Sequence, residues 1–290
     1  MTGPTLPEHD LRKIRLKGGT DLAFRVAGDP GRTALLLMHG DVGSSWLFRK
    51  VIGPLSEVAY VVAPDLPSFG ASDALPNASF EAFTDCVQEL LDHLGVRRRF
   101  IYLHDYGAPV GLRLAMRAPE MVSGLIVQNG NAHPSGIGPQ WAKTQAFWLA
   151  PDAANEAAAT AHLTAEGVRN VYVSGAPDDV AARIDPAGWV EDWRVMNLPG
   201  RMENRRALIA DYATHVARFP DIAAYLKERQ PPTLLLWGRH DPYFDLAEVW
   251  SWLETLPRME AHILDGTHLL LETHADEASP LMKAFVARHG

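Results

Sequence analysis

The segment that most constrains the fold reads Phe100-Ile101-Tyr102-Leu103-His104-Asp105-Tyr106-Gly107-Ala108-Pro109-Val110-Gly111. Its first half is an apolar, β-prone run, and the small residues after Tyr106 allow a sharp turn into helix-compatible sequence. A strand-to-helix turn of this kind holds the side chain at its tip above the sheet. The tip is Asp105, so the sequence predicts a carboxylate where such turns most often carry a serine.

A carboxylate at this tip indicates a different reaction from that of a serine. An aspartate with an unperturbed pKa of ~3.9 is already anionic at neutral pH and needs no prior deprotonation. Its attack on an ester carbonyl would give a reactive anhydride, whereas attack on a saturated carbon bearing a leaving group gives an ordinary alkyl ester. We therefore expect displacement at carbon, with a covalent ester on Asp105.

Length, charge and cysteine content narrow the class of protein. A chain of 290 residues can form one large core with an inserted segment. Its formal net charge of −8 disfavours nucleic acid or an anionic membrane surface as partner. The single cysteine, Cys86, cannot form an intrachain disulfide. Residues 1–10 lack a signal-peptide pattern, and no apolar run approaches the ~20 residues of a spanning helix, so we expect a cytoplasmic protein.

Two kinds of sequence divide the chain. Apolar, β-prone runs alternate with helical stretches at 22–26, 33–38, 60–63, 99–103, 122–128, 232–237 and 260–264, and an amphipathic helix is expected at 280–289. Such alternation predicts an α/β fold, a mostly parallel central sheet flanked by helices. Residues 131–220 are instead alanine-rich and helix-prone. We predict a core domain of residues 1–130 and 221–290, with residues 131–220 inserted as a helical cap.

Three further segments fall at the ends of predicted strands. The turn Met38-His39-Gly40-Asp41 follows an early strand and can supply a backbone N–H. The segment Trp237-Gly238-Arg239-His240-Asp241 places a carboxylate after a late strand, and Asp265-Gly266-Thr267-His268 places an imidazole after the last one. Nucleophile, acid and base therefore occur in the chain order expected for such a sheet.

Taken together, these motifs resemble the α/β-hydrolase fold superfamily, and most closely its aspartate-nucleophile branch, the epoxide hydrolases and haloalkane dehalogenases. The resemblance runs from the His39-Gly40 turn through Asp65-Leu66-Pro67-Ser68-Phe69-Gly70-Ala71-Ser72-Asp73 to the histidine near the end. It implies Asp105 as nucleophile, His268 as base and Asp241 as the acid that orients the base. It also implies a cofactor-independent hydrolase that uses water and a small electrophile.

The chemistry of these residues agrees with the implied roles. His268 would deprotonate the water that attacks the ester, and Asp241 would stabilise the imidazolium so formed. The backbone N–H groups of Asp41 and Tyr106 would bind the oxyanion of that step. The alternative acid position, at Gln128-Asn129-Gly130, offers no carboxylate. The histidines next to these tips, His104 and His240, are expected to pack under the site or face solvent, and no metal-binding spacing is present.

Epoxide hydrolysis is the first interpretation of the leaving group. Epoxide hydrolases use cap tyrosines to protonate the opening oxygen, and Asp211-Tyr212-Ala213 resembles the segment that carries one of them. The second tyrosine would fall near Ala146-Phe147-Trp148, where no hydroxyl exists, so Tyr172 is the substitute candidate. The His-Gly-x-Pro turn typical of epoxide hydrolases is also altered, with Val42 in place of the proline. Aromatic residues in the cap predict a hydrophobic substrate pocket, namely Phe147, Trp148, Trp189 and Trp193.

Dehalogenation is the alternative, and a ligand-binding protein without catalysis is a third interpretation. Haloalkane dehalogenases hold the departing halide with N–H donors, usually a tryptophan directly after the nucleophile, where this chain has Tyr106. The second donor is an asparagine, here Asp41, or a cap tryptophan, for which the candidates are Trp141, Trp148, Trp189 and Trp193. The Asp41 side chain itself is expected to point away from Asp105 and to hydrogen-bond the turn that Ser44 and Ser45 continue. If it faced Asp105 instead, one of the two carboxyl pKa values would rise and Asp41 could donate a proton.

Overall fold

The strands form where apolar, β-prone runs predict them, with one addition at the edge of the sheet. A computed structural model describes residues 11–290, so the expectation that residues 1–10 carry no leader lies outside the described residues. The strands are β1 Leu11–Arg15, β2 Asp21–Ala27, β3 Ala34–Met38, β4 Tyr60–Pro64, β5 Arg99–His104, β6 Val122–Gln128, β7 Thr233–Gly238 and β8 Glu260–Leu264. The unpredicted strand is β1, whose sequence Leu-Arg-Lys-Ile-Arg is mostly exposed at the edge.

The sheet order is β1-β2-β4-β3-β5-β6-β7-β8. The β1–β2 and β2–β4 pairs are antiparallel, and every pair from β4 to β8 is parallel. The parallel strands therefore all end at the same edge of the sheet, which is where ligands bind in open α/β sheets. The loops that follow β3, β5, β7 and β8 carry the predicted site residues to this edge.

Helices cover the sheet and fill the long connection between β6 and β7. They are α1 Ile52–Ser56, α2 Phe80–His93, α3 Gly107–Arg117, α4 Ala142–Leu149, α5 Ala153–Ala159, α6 Ala165–Val173, α7 Asp178–Ala181, α8 Pro186–Met196, α9 Arg201–Ala217, α10 Phe219–Arg229, α11 Leu246–Thr255, α12 Leu270–Thr273 and α13 Ala275–His289. The last helix begins five residues before the predicted start at 280, because Ala275 and Ala278 already pack into the core. No described helix combines the length and apolar character needed to cross a membrane.

Both faces of the central strands are buried, as a parallel sheet between helices requires. In β3, Leu36 and Met38 join one apolar cluster, whereas Leu35 and Leu37 join the cluster on the opposite face. The connection between β6 and β7 is helical throughout its regular elements, α4 to α10. Its division from the core at residues 131 and 220 stays a prediction, and α10, which crosses residue 220, packs against α3 and α11.

Candidate active site

Asp105 lies at a strained turn between β5 and α3. Its backbone φ is +46°, in the left-handed region that side-chain-bearing residues rarely adopt. Two glycines allow the turn to approach its neighbours: a Cβ at Gly40 would lie 2.3 Å from Cβ of Asp105, and a Cβ at Gly107 would lie 2.5 Å from the Met38 carbonyl oxygen. The sequence therefore folds here into the predicted sharp corner, with the carboxylate at its tip.

The two carboxylate oxygens of Asp105 have different surroundings. Oδ1 accepts hydrogen bonds from the backbone N–H of Asp41 at 2.6 Å and from the backbone N–H of Tyr106 at 2.5 Å. Oδ2 lies 3.6 Å from Nε2 of His268. Oδ1 is therefore held by two backbone donors, and Oδ2 faces the imidazole at a distance beyond a direct hydrogen bond.

His268 is held by a buried carboxylate. Its Nδ1 lies 2.7 Å from Oδ2 of Asp241, whose side chain is fully buried. The other oxygen of Asp241 accepts the backbone N–H groups of Tyr243 at 2.7 Å and Phe244 at 3.1 Å. The Phe244 ring stacks on the imidazole at 5.1 Å. These contacts fix the position of the acid and the plane of the ring.

Asn129 is part of this arrangement, although the sequence singled it out only for lacking a carboxylate. Its side-chain amide donates to Oδ2 of Asp241 at 2.8 Å, and its Oδ1 accepts the backbone N–H of Gly238 at 2.9 Å. Its backbone also has a positive φ, +42°. An asparagine at the tip of β6, beside the predicted acid strand β7, was the available signal.

Burial and neighbouring charges shift the pKa values of the reacting pair. Burial, with a smaller contribution from Asp41, outweighs the opposing effects of His268 and the two backbone donors and raises the pKa of Asp105 to about 6. Burial lowers the pKa of His268, but the carboxylates of Asp241, Asp105 and Asp41 together outweigh it, so that the pKa lies above its ordinary 6.5. Asp105 is consequently anionic at neutral pH.

The two neighbouring histidines lie outside the reacting groups. His104 is buried, with Nδ1 3.1 Å from the Gln128 carbonyl oxygen and its ring 4.7 Å from that of His268. Burial holds its pKa well below the ordinary value, so the ring is neutral. His240 contacts Asp265 at 2.6 Å near the surface. Among residues 11–290, no three His, Cys, Asp or Glu side chains form a group able to hold a metal.

The side chain of Asp41 does not adopt the expected contact with Ser44 and Ser45. Its Oδ1 lies 2.8 Å from Nη1 of Arg205, a cation on α9 whose side chain is 1% exposed. The two serines have other partners, since Ser44 caps Trp46 and Ser45 accepts from Arg25. The expectation failed because a buried arginine, distant in sequence, requires a counterion.

A cavity of about 370 Å³ opens above Asp105 and His268. Apolar and aromatic side chains of the β6–β7 connection and the β7 loop form much of its wall: Trp141, Val171, Ile209, Tyr212, Tyr243 and Phe244. Polar side chains also contribute, namely Gln140, Thr144, His162, Asn170 and Ser174. The volume suits a small organic molecule.

Of the predicted leaving-group residues, Tyr212 lines this cavity. Its ring stacks on Trp148 at 6.0 Å and lies 4.8 Å from the Trp141 ring. Its hydroxyl is buried and makes no hydrogen bond of acceptable geometry, although the side chain of Asn131 lies close enough to lower its pKa. Burial, reinforced by Asp105, holds the pKa of Tyr212 well above 10, so the hydroxyl keeps its proton.

The other three candidates do not line the cavity. Phe147 packs within an apolar cluster, and Trp148 donates its indole N–H to the Ile209 carbonyl oxygen at 2.8 Å. The Tyr172 hydroxyl is hydrogen-bonded to Asp192 on α8. These residues support the wall but present no donor to a ligand above Asp105.

A family model described as the alpha/beta hydrolase fold matches residues 33–275. Because the match covers most of the chain, the protein belongs to the α/β hydrolase fold family. The predicted fold class is thereby confirmed, as is the resemblance to this superfamily. The catalytic roles of individual residues stay predictions.

Individual relatives carry several activities. An uncharacterized hydrolase of Saccharomyces cerevisiae, YNR064C, is 30% identical over 91% of this chain and 92% of its own length. Epoxide hydrolase 3 of Xenopus tropicalis is 25% identical over 94% of this chain and 77% of its own. The crystal structure of haloalkane dehalogenase DbeA from Bradyrhizobium elkani has a TM-score of 0.75 at 21% identity, covering 96% of this chain and 98% of that one. The last comparison shows the fold alone.

Proposed function

We propose that this protein is a cofactor-independent epoxide hydrolase that acts through a covalent ester on Asp105. The observation that carries the proposal is the unpartnered, buried hydroxyl of Tyr212 on the same cavity as Asp105. An opening epoxide needs a proton on its oxygen, because an alkoxide is a poor leaving group. A tyrosine hydroxyl without a protein acceptor is free to donate to it.

In the first half-reaction, Oδ2 of Asp105 attacks an epoxide carbon and the carbon–oxygen bond of the ring breaks. Oδ2 is the suitable nucleophile because both backbone donors hold Oδ1. Tyr212 transfers its proton to the ring oxygen as this oxygen leaves the carbon. The result is a hydroxyalkyl ester of Asp105 and a Tyr212 phenolate.

In the second half-reaction, water attacks the carbonyl carbon of the ester while Nε2 of His268 takes one of its protons. Negative charge develops on Oδ1, where the N–H groups of Asp41 and Tyr106 already point. The bond from this carbon to the alkyl oxygen then breaks, and that oxygen takes the proton from His268. The second proton of water restores the Tyr212 phenol, and the diol leaves.

The charge of the cavity favours a neutral substrate. Two carboxylates, Asp41 and Asp105, lie on the wall, and no lysine or arginine lines it among the described residues. A carboxylate-bearing substrate would meet repulsion there without a cation to bind it. We therefore expect an uncharged, largely apolar epoxide, with the polar side chains contacting any hydroxyl or ether group it carries.

Dehalogenation, the alternative from the sequence, has less support. A departing halide needs N–H donors, and the two indole groups closest to Tyr212 are occupied. Trp148 donates to the Ile209 carbonyl oxygen, and Trp141 donates to the Tyr243 carbonyl oxygen at 3.0 Å. The carboxylate of Asp41 would repel an anion. The third interpretation, ligand binding without catalysis, does not account for the His268–Asp241 pair beside Asp105.

A single-turnover reaction in ¹⁸O-water tests the proposal. With enzyme in excess over a neutral epoxide, the diol should contain no ¹⁸O, and a peptide containing Asp105 should gain it, because water attacks the ester carbonyl. ¹⁸O in the first diol formed would mean direct attack of water on the epoxide. An Asp105→Asn variant, which should form no diol, is the control. The expected cytoplasmic location and the absence of nucleic-acid or membrane partners stay predictions.

A further inference from the structure

We infer that Arg205 is a positioning residue of the catalytic site: it offsets part of the charge of the Asp41 carboxylate, so that the backbone N–H of Asp41 binds the oxyanion against less repulsion from that carboxylate. This inference rests on the proposed function for its catalytic consequence. The electrostatic effect of Arg205 on Asp105 does not depend on the proposed function.

Arg205 is a buried cation with few partners. It lies on α9, its side chain is 1% exposed, and its guanidinium carbon is 3.4 Å from the centre of the Phe69 ring. The Nη1–Oδ1 distance to Asp41 is 2.8 Å. The alignment is that of an ion pair rather than a directed hydrogen bond, since neither atom meets hydrogen-bond geometry. Phe69 and Asp41 thus hold the charge of Arg205 in one place.

Asp41 affects the charge on the nucleophile, Asp105, in two opposite ways. Its backbone N–H donates to Oδ1 of Asp105 at 2.6 Å, which favours negative charge on that oxygen. Its carboxylate lies on the cavity wall and disfavours negative charge on Asp105. An oxyanion forming at Oδ1 would meet the same repulsion. Arg205, whose Nη1 lies 2.8 Å from Oδ1 of Asp41, offsets part of that repulsion.

Arg205 is not required to hold α9 against the core, because neighbouring residues on the same helix make the docking contacts. Arg201 donates to the carbonyl oxygens of Gly70 and Ser72 at 2.8 and 2.7 Å. Asn204 donates to the Ser68 hydroxyl and the Leu75 carbonyl oxygen at 2.6 and 2.9 Å. Neither contacts Asp41, so Arg201→Met is a matched control that removes a buried arginine and a docking contact.

Other charges near this pair must be considered in a titration. The groups around Asp41, Arg205 and Asp105 come from several elements: His39, Asp65, Tyr106, Asp192, Arg201, Tyr212, Tyr243 and His268. Asp192 also interacts electrostatically with Arg205, and it is already hydrogen-bonded to Tyr172. Changing both members of the Asp41–Arg205 pair separates their effect from these background charges.

The first measurement is the pKa of Asp105 in the ligand-free protein, by NMR of ¹³C-labelled carboxyl groups, and it requires no substrate. Arg205→Met should raise this pKa by about one pH unit, and adding Asp41→Asn should reverse the rise. Arg201→Met should leave it unchanged. An equal pKa in wild type and Arg205→Met would overturn the inference, as would a rise that Asp41→Asn does not reverse.

The second measurement is turnover of a neutral epoxide by the same variants. Arg205→Met should lower kcat at least about tenfold and shift the acid limb of the kcat/KM profile to higher pH. The kcat of the double variant should recover to within about threefold of that of Asp41→Asn alone. Arg205→Lys should retain part of the activity because it keeps the charge. If wild type turns over no epoxide, the proposed function fails while the NMR result still decides the inference. If the wild type is active but the double variant does not recover, the inference about Arg205 is contradicted while the proposed function stands.

Discussion

Asn129 donates a hydrogen bond of 2.8 Å to Oδ2 of Asp241, the same oxygen that lies 2.7 Å from Nδ1 of His268. An amide at the tip of β6 therefore helps to fix the acid that follows β7. The backbone N–H groups of Tyr243 and Phe244 donate to the other oxygen of Asp241, so both oxygens of this buried carboxylate are hydrogen-bonded. The orientation of the base depends on both strands.

Replacing this amide should impair catalysis more than folding. A hydrogen bond to a charged group contributes ~1.5–3 kcal/mol, so Asn129→Ala should lower kcat about tenfold or more with little change in KM. Steady-state kinetics and a thermal melt on the same preparation provide the check. A loss of activity that only parallels loss of folded protein would contradict the positioning role.

Activity should fall on the acid side in two separable steps. Ring opening needs anionic Asp105, whose pKa is raised to about 6 by burial and by Asp41, so kcat/KM should decline below about pH 6. Ester hydrolysis needs neutral His268. Asp241 continues to raise the pKa of His268 after Asp105 has become an uncharged ester, so this step should weaken at a higher pH than ring opening. Stopped-flow measurement of the two steps across pH 5–9 tests the order. Equal pH dependence of both steps, or the reverse order, would count against these assignments.

The raised pKa of Asp105 also predicts a cost in stability. Because the folded pKa exceeds the unfolded one, the folded state loses stability as pH rises from about 4 through about 6. Asp105→Asn should therefore be more stable than wild type at pH 7.5, by about 1–3 kcal/mol, and nearly equal to it at pH 4. Urea unfolding at both pH values measures the difference. A destabilised variant at pH 7.5 would refute the assigned direction.

Removing the Tyr212 hydroxyl should affect epoxides selectively. Tyr212→Phe should slow epoxide opening about a hundredfold or more, because general acid catalysis contributes ~10²–10⁴. Any alkylation of Asp105 by a bromoalkane should change little, since bromide needs no proton. Tyr225→Phe is the matched control: its hydroxyl is also buried and unpartnered, but it lies on α10, off the cavity. Similar losses in both variants would remove Tyr212 from the mechanism.

The turn at Asp105 should be intolerant of a methyl group beside it. Gly107→Ala would place a Cβ 2.5 Å from the Met38 carbonyl oxygen, so we expect destabilisation of about 2 kcal/mol or more. Gly18→Ala, where a Cβ meets nothing within 4 Å, should stay within about 0.5 kcal/mol of wild type. Chemical denaturation of both variants checks the contrast. A Gly107→Ala protein as stable as Gly18→Ala would show that the turn has room for a methyl group at this position.

The sequence predicted features that depend on local pattern and missed those that depend on distant partners. Buried strands such as β6 and the turn at Asp105 were predictable because apolar runs and small residues occur next to each other in the chain. Strand β1 was missed because exposed basic residues at a sheet edge carry no alternating apolar pattern. Arg205 was missed because its partner, Asp41, is far away in sequence and belongs to another element.

Candidate residues in the β6–β7 connection were the hardest to predict. The sequence shows which residues are aromatic, and helical spacing predicts which of them are buried. Neither determines which of them reach the cavity. Tyr212 and Trp148 stack on each other, yet only Tyr212 lines the cavity, since the Trp148 indole bonds to the Ile209 carbonyl oxygen. That outcome depends on how α4, α6, α8 and α9 pack, which no single segment encodes.

The most direct test of the account is intact-protein mass spectrometry of a His268→Phe variant incubated with neutral epoxides and, separately, with primary bromoalkanes. Without the base, the ester on Asp105 should form and persist. We expect a mass increase equal to the whole epoxide, located on Asp105 by peptide mapping, and no such increase in a His268→Phe/Asp105→Asn variant. Addition of an alkyl group with loss of bromide, and no epoxide adduct, would identify a dehalogenase. No adduct on Asp105 from either class would contradict the proposed covalent mechanism.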